Sequence, residues 1–149
     1  MIDIVKNQST PLVLPHFELT SVILKCCFEV MNELGTGFLE SVYKNALYDA
    51  LRQSRISVET EQLFNVCFRG KKVGTYKADI VVQSTVIIEL KCCKSLLSEH
   101  QAQVINYLKA SDLSVGMLVN FGNKKLEYKR LYHPSMNFED INNPGYPTF

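Results

Sequence analysis

The stretch "ADIVVQSTVIIELK", residues 78–91, places two acidic residues and a lysine inside segments that otherwise have the composition of core strands. Two runs rich in β-branched residues flank the polar residues "QST", which is the pattern of a β-hairpin. Opposed residues of an antiparallel pair have a constant index sum, which is 168 for a turn centred on Ser84. The pattern therefore predicts that Asp79 faces Glu89, with Lys91 on the same face as Glu89.

Two carboxylates that face each other across a strand pair repel each other. At about 5 Å and an effective dielectric constant near 20, Coulomb's law gives roughly 3 kcal/mol of repulsion. Lys77, Lys91, a shared proton or a bound cation could offset it. One alternative is an exposed hairpin face with an ordinary ion-pair cluster, which contributes little to stability. The many apolar residues on either side leave few positions for water and favour partial burial of the acids.

Acidic oxygens in this setting suit a divalent metal. Magnesium prefers hard oxygen ligands, keeps several waters and recruits substrate phosphate, so two carboxylates with an adjacent strand carbonyl would satisfy it. A lysine beside the ion can orient or deprotonate an attacking water and stabilise developing charge.

The segment "SEHQAQVINYLKAS", residues 98–111, has helical spacing and adds polar groups to the same region. Gln103 and Tyr107 are four positions apart and share a helix face, with His100 one turn earlier. The glutamine and tyrosine could hold a phosphate or a water. Alternatively, Tyr107 is a core aromatic, and for His100 we favour a hydrogen-bonded residue at the start of the helix, because a lone histidine needs partners to form a site.

The rest of the chain predicts an α/β domain with a mixed sheet. Apolar residues recur at three- and four-residue steps in two N-terminal segments, and period-two or continuous apolar patterns mark the strands. The segment "VGMLVNFG" is apolar throughout and is predicted to be buried on both faces. The predicted elements are helices 17–34 and 39–53, strands 57–68, 72–82 and 85–93, helix 98–111, and strands 115–122 and 125–132.

Length and composition indicate one soluble globular domain. The chain has 149 residues, 46% of them hydrophobic, and a formal net charge of +1. This charge balance excludes a histone-like protein held to nucleic acid by bulk charge, while a local basic patch stays open. The apolar runs are too short to span a membrane, and the N-terminus lacks the pattern of a secretory signal. We therefore expect a cytoplasmic protein with no membrane partner.

The cysteines do not predict a metal site or a disulfide framework. Five are present, as the vicinal pairs Cys26–Cys27 and Cys92–Cys93 and the single Cys67. An odd count without CxxC spacing favours small hydrophobic residues in a reducing compartment.

The motifs, taken in order, resemble the PD-(D/E)XK nuclease superfamily and its RecB-like branch. The stretches "GTYKADIVV", "IIELK" and "QVINY" match the pattern of a glycine, an aspartate, an acid-x-lysine unit and Q-x-x-x-Y. The segment "GFLESVY" is similar to the G-x-x-E-x-x-Y pattern of the GxxExxY proteins. The matching residues are Gly37, Glu40, Tyr43, Gly74, Asp79, Glu89, Leu90, Lys91, Gln103 and Tyr107.

The resemblance implies a restriction-endonuclease-like α-β-β-β-α-β core with a mixed central sheet and an extra N-terminal helix. It implies that Asp79, Glu89 and the backbone carbonyl of Leu90 bind Mg²⁺ or Mn²⁺. Lys91 would serve the attacking water, and Glu40 would be a further ligand or an orienting group. The reaction would be hydrolysis of a phosphodiester, with DNA as the expected polymer rather than RNA.

The same resemblance sets the domain bounds and marks one departure from the superfamily pattern. The nuclease-like domain would cover residues 16–133, between an N-terminal arm (1–15) and an irregular C-terminal tail (134–149). Ala78 precedes Asp79 where the superfamily motif has proline. That difference is conformational and removes no ligand.

Two other functions remain open at this point. The chain could be a non-catalytic nucleic-acid-binding or interaction module that keeps the nuclease fold, or a homodimer that pairs through a strand edge. Basic residues near the hairpin and late in the chain could contact phosphates, although such residues are as often a solvated surface. These residues are Arg69, Lys71, Lys72, Lys77, Lys124, Lys125, Lys129 and Arg130.

Overall fold

The computed structural model describes residues 14–136, and the predicted order of helices and strands is confirmed. Most of the predicted N-terminal arm (1–15) and C-terminal tail (134–149) lies outside the described residues, so both assignments stay predictions. The elements are α1 (Phe17–Leu34), α2 (Glu40–Gln53), β1 (Val58–Phe68), β2 (Lys71–Val82), β3 (Val86–Lys91), α3 (Ser98–Ser111), β4 (Val115–Asn120) and β5 (Glu127–Tyr132).

The five strands form one mixed sheet in the order β1-β2-β3-β4-β5. Neighbouring strands are antiparallel, except that β3 and β4 are parallel. The parallel pair follows from α3, which carries the chain back across the sheet between these two strands. All six residues of β4 are buried, as the continuous apolar pattern predicts.

Helices cover both faces of the sheet. On one face, α1 and α2 pack their apolar stripes against a large cluster that includes Tyr43, Leu47 and Ile88. On the other face, α3 contributes Leu108 to a smaller cluster that includes Ile87. The turn between α1 and α2 uses glycines at positive φ, 68° at residue 35 and 107° at residue 37, a conformation that costs glycine little. Strand β3 is therefore central and enclosed on both sides.

Strand β2 changes sides at Asp79. Residues two apart in a regular strand share a face, yet Ala78 packs in the α3-side cluster and Ile80 packs in the α1/α2-side cluster. The β1–β2 ladder has the same register on both sides of this point but lacks the pair Glu61–Asp79. Glu61 has φ 59°, in the left-handed region. Such an irregularity redirects a side chain, and it occurs here at a predicted site residue.

Two further findings concern the thiols and the helices. All five cysteines are free. Cys26 and Cys27 are buried in the core, as expected for small hydrophobic residues, but the expectation is wrong for Cys67 and Cys92, which are exposed, while Cys93 is half-buried. In residues 14–136, none of the helices has the length and apolar character needed to cross a membrane.

Candidate functional site

The β2–β3 hairpin has the predicted register but ends one pair earlier than predicted. The pairs Ile80–Ile88, Val81–Ile87 and Val82–Val86 all have the index sum expected for a turn centred on residue 84. The ladder stops before Asp79 and Glu89. The prediction that these two residues face each other directly in the ladder is therefore wrong. Instead, Asp79 Oδ2 accepts a hydrogen bond of 2.9 Å from the Leu90 amide. Both acids therefore lie at the open end of the hairpin.

Glu89 is a buried acid with only part of its carboxylate satisfied. Its exposed fraction is 7%, and its Oε2 has no hydrogen-bond partner among the described residues. Burial raises the pKa of Glu89 to about 8, with further increases from Asp79 and Glu40 and an opposing effect from Lys91. The predicted enclosure of this acid is confirmed, and an exposed ion-pair face does not describe it.

Lys91 links Glu89 to helix α3. Its Nζ lies 3.6 Å from Glu89 Oε1 and donates a hydrogen bond of 3.1 Å to Gln103 Oε1. Gln103 Nε2 in turn donates to the Tyr107 hydroxyl at 2.7 Å. The structure thus brings together Glu89, Lys91, Gln103 and Tyr107, which the sequence had placed on two separate elements.

Tyr107 both ends this series of hydrogen bonds and packs against the sheet. Its ring stacks on Tyr76 with centroids 3.9 Å apart, and the Tyr76 hydroxyl donates to the Tyr107 carbonyl at 2.9 Å. Burial, followed by the charge of Glu89, raises the pKa of the Tyr107 hydroxyl. The phenol therefore stays protonated near neutral pH and can donate a hydrogen bond.

Glu40 approaches the same acids from helix α2, of which it is the first residue. Its side chain is exposed, yet partial desolvation and then the charge of Asp79 raise its pKa, while Lys91 lowers it. Tyr43 fixes the preceding turn, because its hydroxyl donates to the Gly35 carbonyl at 2.5 Å and accepts from the Phe38 amide at 3.3 Å. The fully buried Tyr43 thereby positions the start of α2.

Three other predicted candidates make structural contacts. His100 Nδ1 accepts a hydrogen bond of 3.0 Å from the Leu97 amide, so the interpretation as a helix-start residue is confirmed. Lys77 Nζ pairs with Glu61 Oε2 at 2.9 Å, and it is Lys91 that pairs with a site acid. Arg130, one of the basic residues late in the chain, donates to Thr20 Oγ1 at 3.1 Å.

A second network holds the chain directly after Lys91, and no sequence pattern indicates it. The buried Asn120 accepts from the Cys93 amide at 3.0 Å and from the Gly122 amide at 2.9 Å, and its Nδ2 donates to the Cys93 carbonyl at 2.9 Å. Glu127 accepts from Asn120 Nδ2 at 3.2 Å. These bonds fix the end of β3 and hence the position of Lys91.

The sequence reasoning also missed Lys44 and Glu61. Lys44 Nζ pairs with Glu61 Oε1 at 2.5 Å, so helix α2 is tied to strand β1 beside Asp79. Helical spacing could have indicated Lys44, because it is four residues after Glu40 and shares its face. No sequence signal marks the left-handed conformation of Glu61.

The carboxylates at the hairpin end decide whether a divalent cation fits here. Residues 14–136 contain no group of three or more His, Cys, Asp and Glu side chains arranged to hold a metal ion. Two carboxylates, Asp79 and Glu89, nevertheless meet at one hairpin end, and the second carboxylate has a buried oxygen without a partner. A hard cation that completes its shell with waters and substrate oxygens needs only one or two carboxylates. The residues present fit such an ion.

Similarity to known proteins is found at the level of family and fold. A family model described as the PD-(D/E)XK nuclease superfamily matches residues 17–131. No curated protein sequence matches the chain.

The chain is similar to solved structures of other proteins. A solved structure named SSO0001 aligns with a TM-score of 0.53 at 20% identity, over 85% of this chain and 62% of that chain. The chain thus spans less than two thirds of that protein, and the likeness shows the fold alone. An alkaline exonuclease from Laribacter hongkongensis, LHK-Exo, aligns with a TM-score of 0.47 at 10% identity, over 81% of this chain and 72% of that chain.

The family match covers most of the chain, including the hairpin with Asp79 and Glu89 and the helix with Gln103 and Tyr107. The sheet and helices agree with the restriction-endonuclease-like core and the additional N-terminal helix expected from sequence. This chain therefore belongs to the PD-(D/E)XK nuclease superfamily.

Proposed function

We propose that the protein is a metal-dependent nuclease that hydrolyses phosphodiester bonds of nucleic acid, with DNA as the expected polymer. The observation that carries this proposal is the buried carboxyl group of Glu89, which lies beside Asp79 and 3.6 Å from Lys91. Leaving a buried acid partly unsatisfied is costly to the fold, and such costs are typical of functional sites.

Asp79 and Glu89, with the Leu90 carbonyl and Glu40 as further candidates, would hold Mg²⁺ or Mn²⁺. When bound, the cation supplies Lewis-acid stabilisation of the negative charge that develops at the phosphorus centre. The bond from the Leu90 amide supports this role for Asp79, because it holds the carboxylate in one orientation. Glu89 must release its proton to bind the ion, because only the carboxylate is a ligand.

Lys91 would orient the attacking water and stabilise charge on the phosphoryl oxygens. Its ammonium group is held from two sides, by Glu89 Oε1 and by Gln103 Oε1. Gln103 is held in turn by Tyr107. This series of hydrogen bonds fixes the position of Lys91 Nζ before substrate arrives. Charge stabilisation requires preorganisation of this kind.

The test is a cleavage assay with purified protein and single- and double-stranded DNA and RNA, in Mn²⁺, Mg²⁺ or chelator. Asp79→Asn and Lys91→Met should each reduce the cleavage rate by about 100-fold or more. The matched controls Asp49→Asn and Lys109→Met change exposed residues of the same types and should retain activity.

Two outcomes would reject the nuclease proposal. One is that the wild type cleaves none of the four substrates with either metal. The other is that Asp79→Asn and Lys91→Met cleave as fast as the wild type. Binding without cleavage would favour the non-catalytic nucleic-acid-binding module that the sequence leaves open.

Several finer assignments belong to the same proposal. Membership of the GxxExxY group and of the RecB-like branch is supported by the motif around Gly37, Glu40 and Tyr43 and by Q-x-x-x-Y on α3. A homodimer would use a sheet edge, and within residues 14–136 β1 and β5 are the edge strands. Sedimentation analysis tests the dimer, and cell fractionation tests the expected cytoplasmic location.

A further inference from the structure

We propose that Lys44 is a second phosphate-binding position beside the acids of the site, and that Glu61 holds it there. The ligand would be a phosphodiester group of the substrate backbone that flanks the one being cleaved. This inference rests on the proposed nuclease function and extends it from the reacting bond to substrate grip.

Lys44 is partly buried and lies near the acids of the site. Its side chain is 19% exposed and is paired with Glu61 Oε1 at 2.5 Å. Glu40 precedes it by four residues on the same helix face, and both Glu40 and Asp79 contribute to its electrostatic environment. Lysine side chains are mostly exposed, so the partial burial of this one requires an explanation.

Glu61 supplies part of that explanation at a conformational cost. Its φ of 59° is uncommon for a residue other than glycine, asparagine or aspartate. It also interrupts the β1–β2 ladder at the position where Asp79 would pair. Strained residues of this kind persist where the surrounding structure over-determines them, and they cluster at functional sites.

The charges around Glu61 favour an anionic ligand. Glu61 Oε1 pairs with Lys44 and Oε2 with Lys77, so the three residues together carry net positive charge. Hydrogen bonds from both lysines lower the pKa of Glu61 to about 2, and the bond to Glu61 raises the pKa of Lys44. Glu61 and Lys44 are therefore both ionised throughout the neutral range.

Lys44 also has donors left for a ligand. An ammonium group has three N–H donors, and in the described part of the chain its hydrogen bond goes to Glu61. The acids at the hairpin end would repel a phosphodiester, so the substrate needs cations on both sides of them. Lys91 is anchored to α3 through Gln103, whereas Lys44 comes from α2 on the opposite face of the sheet.

Lys77 provides a matched control. It binds the other oxygen of the same Glu61, yet its side chain is 57% exposed, compared with 19% for Lys44. If the only purpose of these pairs were to neutralise Glu61, the two lysines would be equivalent. The proposal makes them different, because Lys44 is the one whose environment includes Asp79 and Glu40.

The experiment compares the wild type with Lys44→Met, Lys44→Arg and Lys77→Met. Binding of a fluorescent DNA oligonucleotide is measured by anisotropy over a series of salt concentrations in Ca²⁺, and cleavage is measured in Mn²⁺. Lys44→Met should weaken binding by roughly tenfold and reduce the slope of log affinity against log salt by about one. Lys44→Arg should restore most of both, and Lys77→Met, which removes the more exposed of the two charges, should weaken binding clearly less than Lys44→Met does.

The proposal is overturned if Lys44→Met keeps the wild-type affinity and salt slope, or if Lys77→Met shows the same losses. A lower thermal midpoint shows whether Lys44→Met is misfolded, and in that case Lys44→Arg decides: wild-type binding supports the phosphate contact and weak binding overturns it. Lys44-dependent binding without any cleavage would leave this position standing and reject the nuclease function. Cleavage with no dependence of binding on Lys44 would do the reverse.

Discussion

Lys91 Nζ lies 3.6 Å from Glu89 Oε1, while Glu89 Oε2 is buried with no hydrogen-bond partner among the described residues. The lysine thus neutralises only one side of this acid. Asp79 on β2 and Glu40 on α2 add negative charge near Glu89. Together with burial, this charge raises the pKa of Glu89 well above the usual range of a carboxyl group. An acid in this state is stable as a neutral group and becomes a good ligand once a cation replaces its proton.

Stability of the metal-free protein should fall with rising pH. The pKa of Glu89 is about 8 in the folded state and near 4.5 as an unperturbed carboxyl. Between these values the folded protein holds a proton that the unfolded chain has released. The free energy of unfolding therefore decreases as pH rises, by at most about 1.4 kcal/mol per pH unit from this group.

Glu89→Gln should remove this component of the slope, because the amide does not titrate. Chemical denaturation between about pH 5 and pH 9 in chelator measures it, and Glu99→Gln, at an exposed residue at the start of α3, is the control. Equal pH slopes for the wild type and Glu89→Gln would contradict the assignment.

Gln103→Leu should lower the cleavage rate by about 10- to 100-fold while the protein stays folded, because Lys91 loses the acceptor that holds it. Tyr107→Phe removes only the next bond of the chain and keeps the ring stacked on Tyr76, so its effect should be smaller. Single-turnover kinetics with saturating enzyme measures both variants. A larger loss in Tyr107→Phe than in Gln103→Leu would show that the phenol itself contacts the substrate.

Tyr43→Phe should loosen the turn that precedes Glu40. The variant leaves the Gly35 carbonyl and the Phe38 amide without the hydroxyl that joins them. We expect a loss of about 1–2 kcal/mol in the free energy of unfolding, together with reduced cleavage. The stacking of residue 43 on Phe121, with centroids 4.9 Å apart, should survive. Unchanged stability and activity would show that the turn does not depend on this bond.

Gly122→Ala should destabilise the protein because the glycine lies against the chain that follows β3. A Cβ at Gly122 would lie 2.3 Å from the Cys93 carbonyl oxygen and 2.6 Å from its amide nitrogen. We expect a loss of about 1–3 kcal/mol. Gly74, the glycine that precedes Asp79 in the nuclease pattern, is different. A Cβ there would meet nothing within 4 Å, so Gly74→Ala should change stability by less than about 0.5 kcal/mol. Thermal denaturation of both variants provides the comparison, and equal midpoints would contradict it.

Local patterns were sufficient to predict most of the fold and to single out Asp79, Glu89 and Lys91 as candidate site residues. The spacing of apolar residues marks α1, α2 and α3, and the hairpin register follows from the turn at residues 83–85. No local pattern predicts that Gln103 and Lys91 meet, because they lie on different elements. Their hydrogen bond is a finding of the structure.

The missed features depend on contacts between distant parts of the chain. The Lys44–Glu61 pair requires a left-handed residue in the middle of a strand, for which the sequence "TEQ" has no glycine or asparagine signal. The change of face along β2 at Asp79 occurs at the same interruption of the ladder, and no sequence signal marks it either. The Asn120 network also joins segments that are about 30 residues apart, and hydrophobic periodicity does not report such polar contacts.

Metal binding with a count of released protons tests the central claim most directly, since Asp79 and Glu89 are proposed to bind a cation. Titration calorimetry with Mn²⁺ near neutral pH, in two buffers with different ionisation enthalpies, gives the affinity and the number of protons released. We predict that the wild type binds one Mn²⁺ ion and releases about one proton, which comes from Glu89. The Glu89→Gln variant should lose Mn²⁺ binding. Binding that Glu89→Gln retains, or binding by the wild type without proton release, would contradict the account.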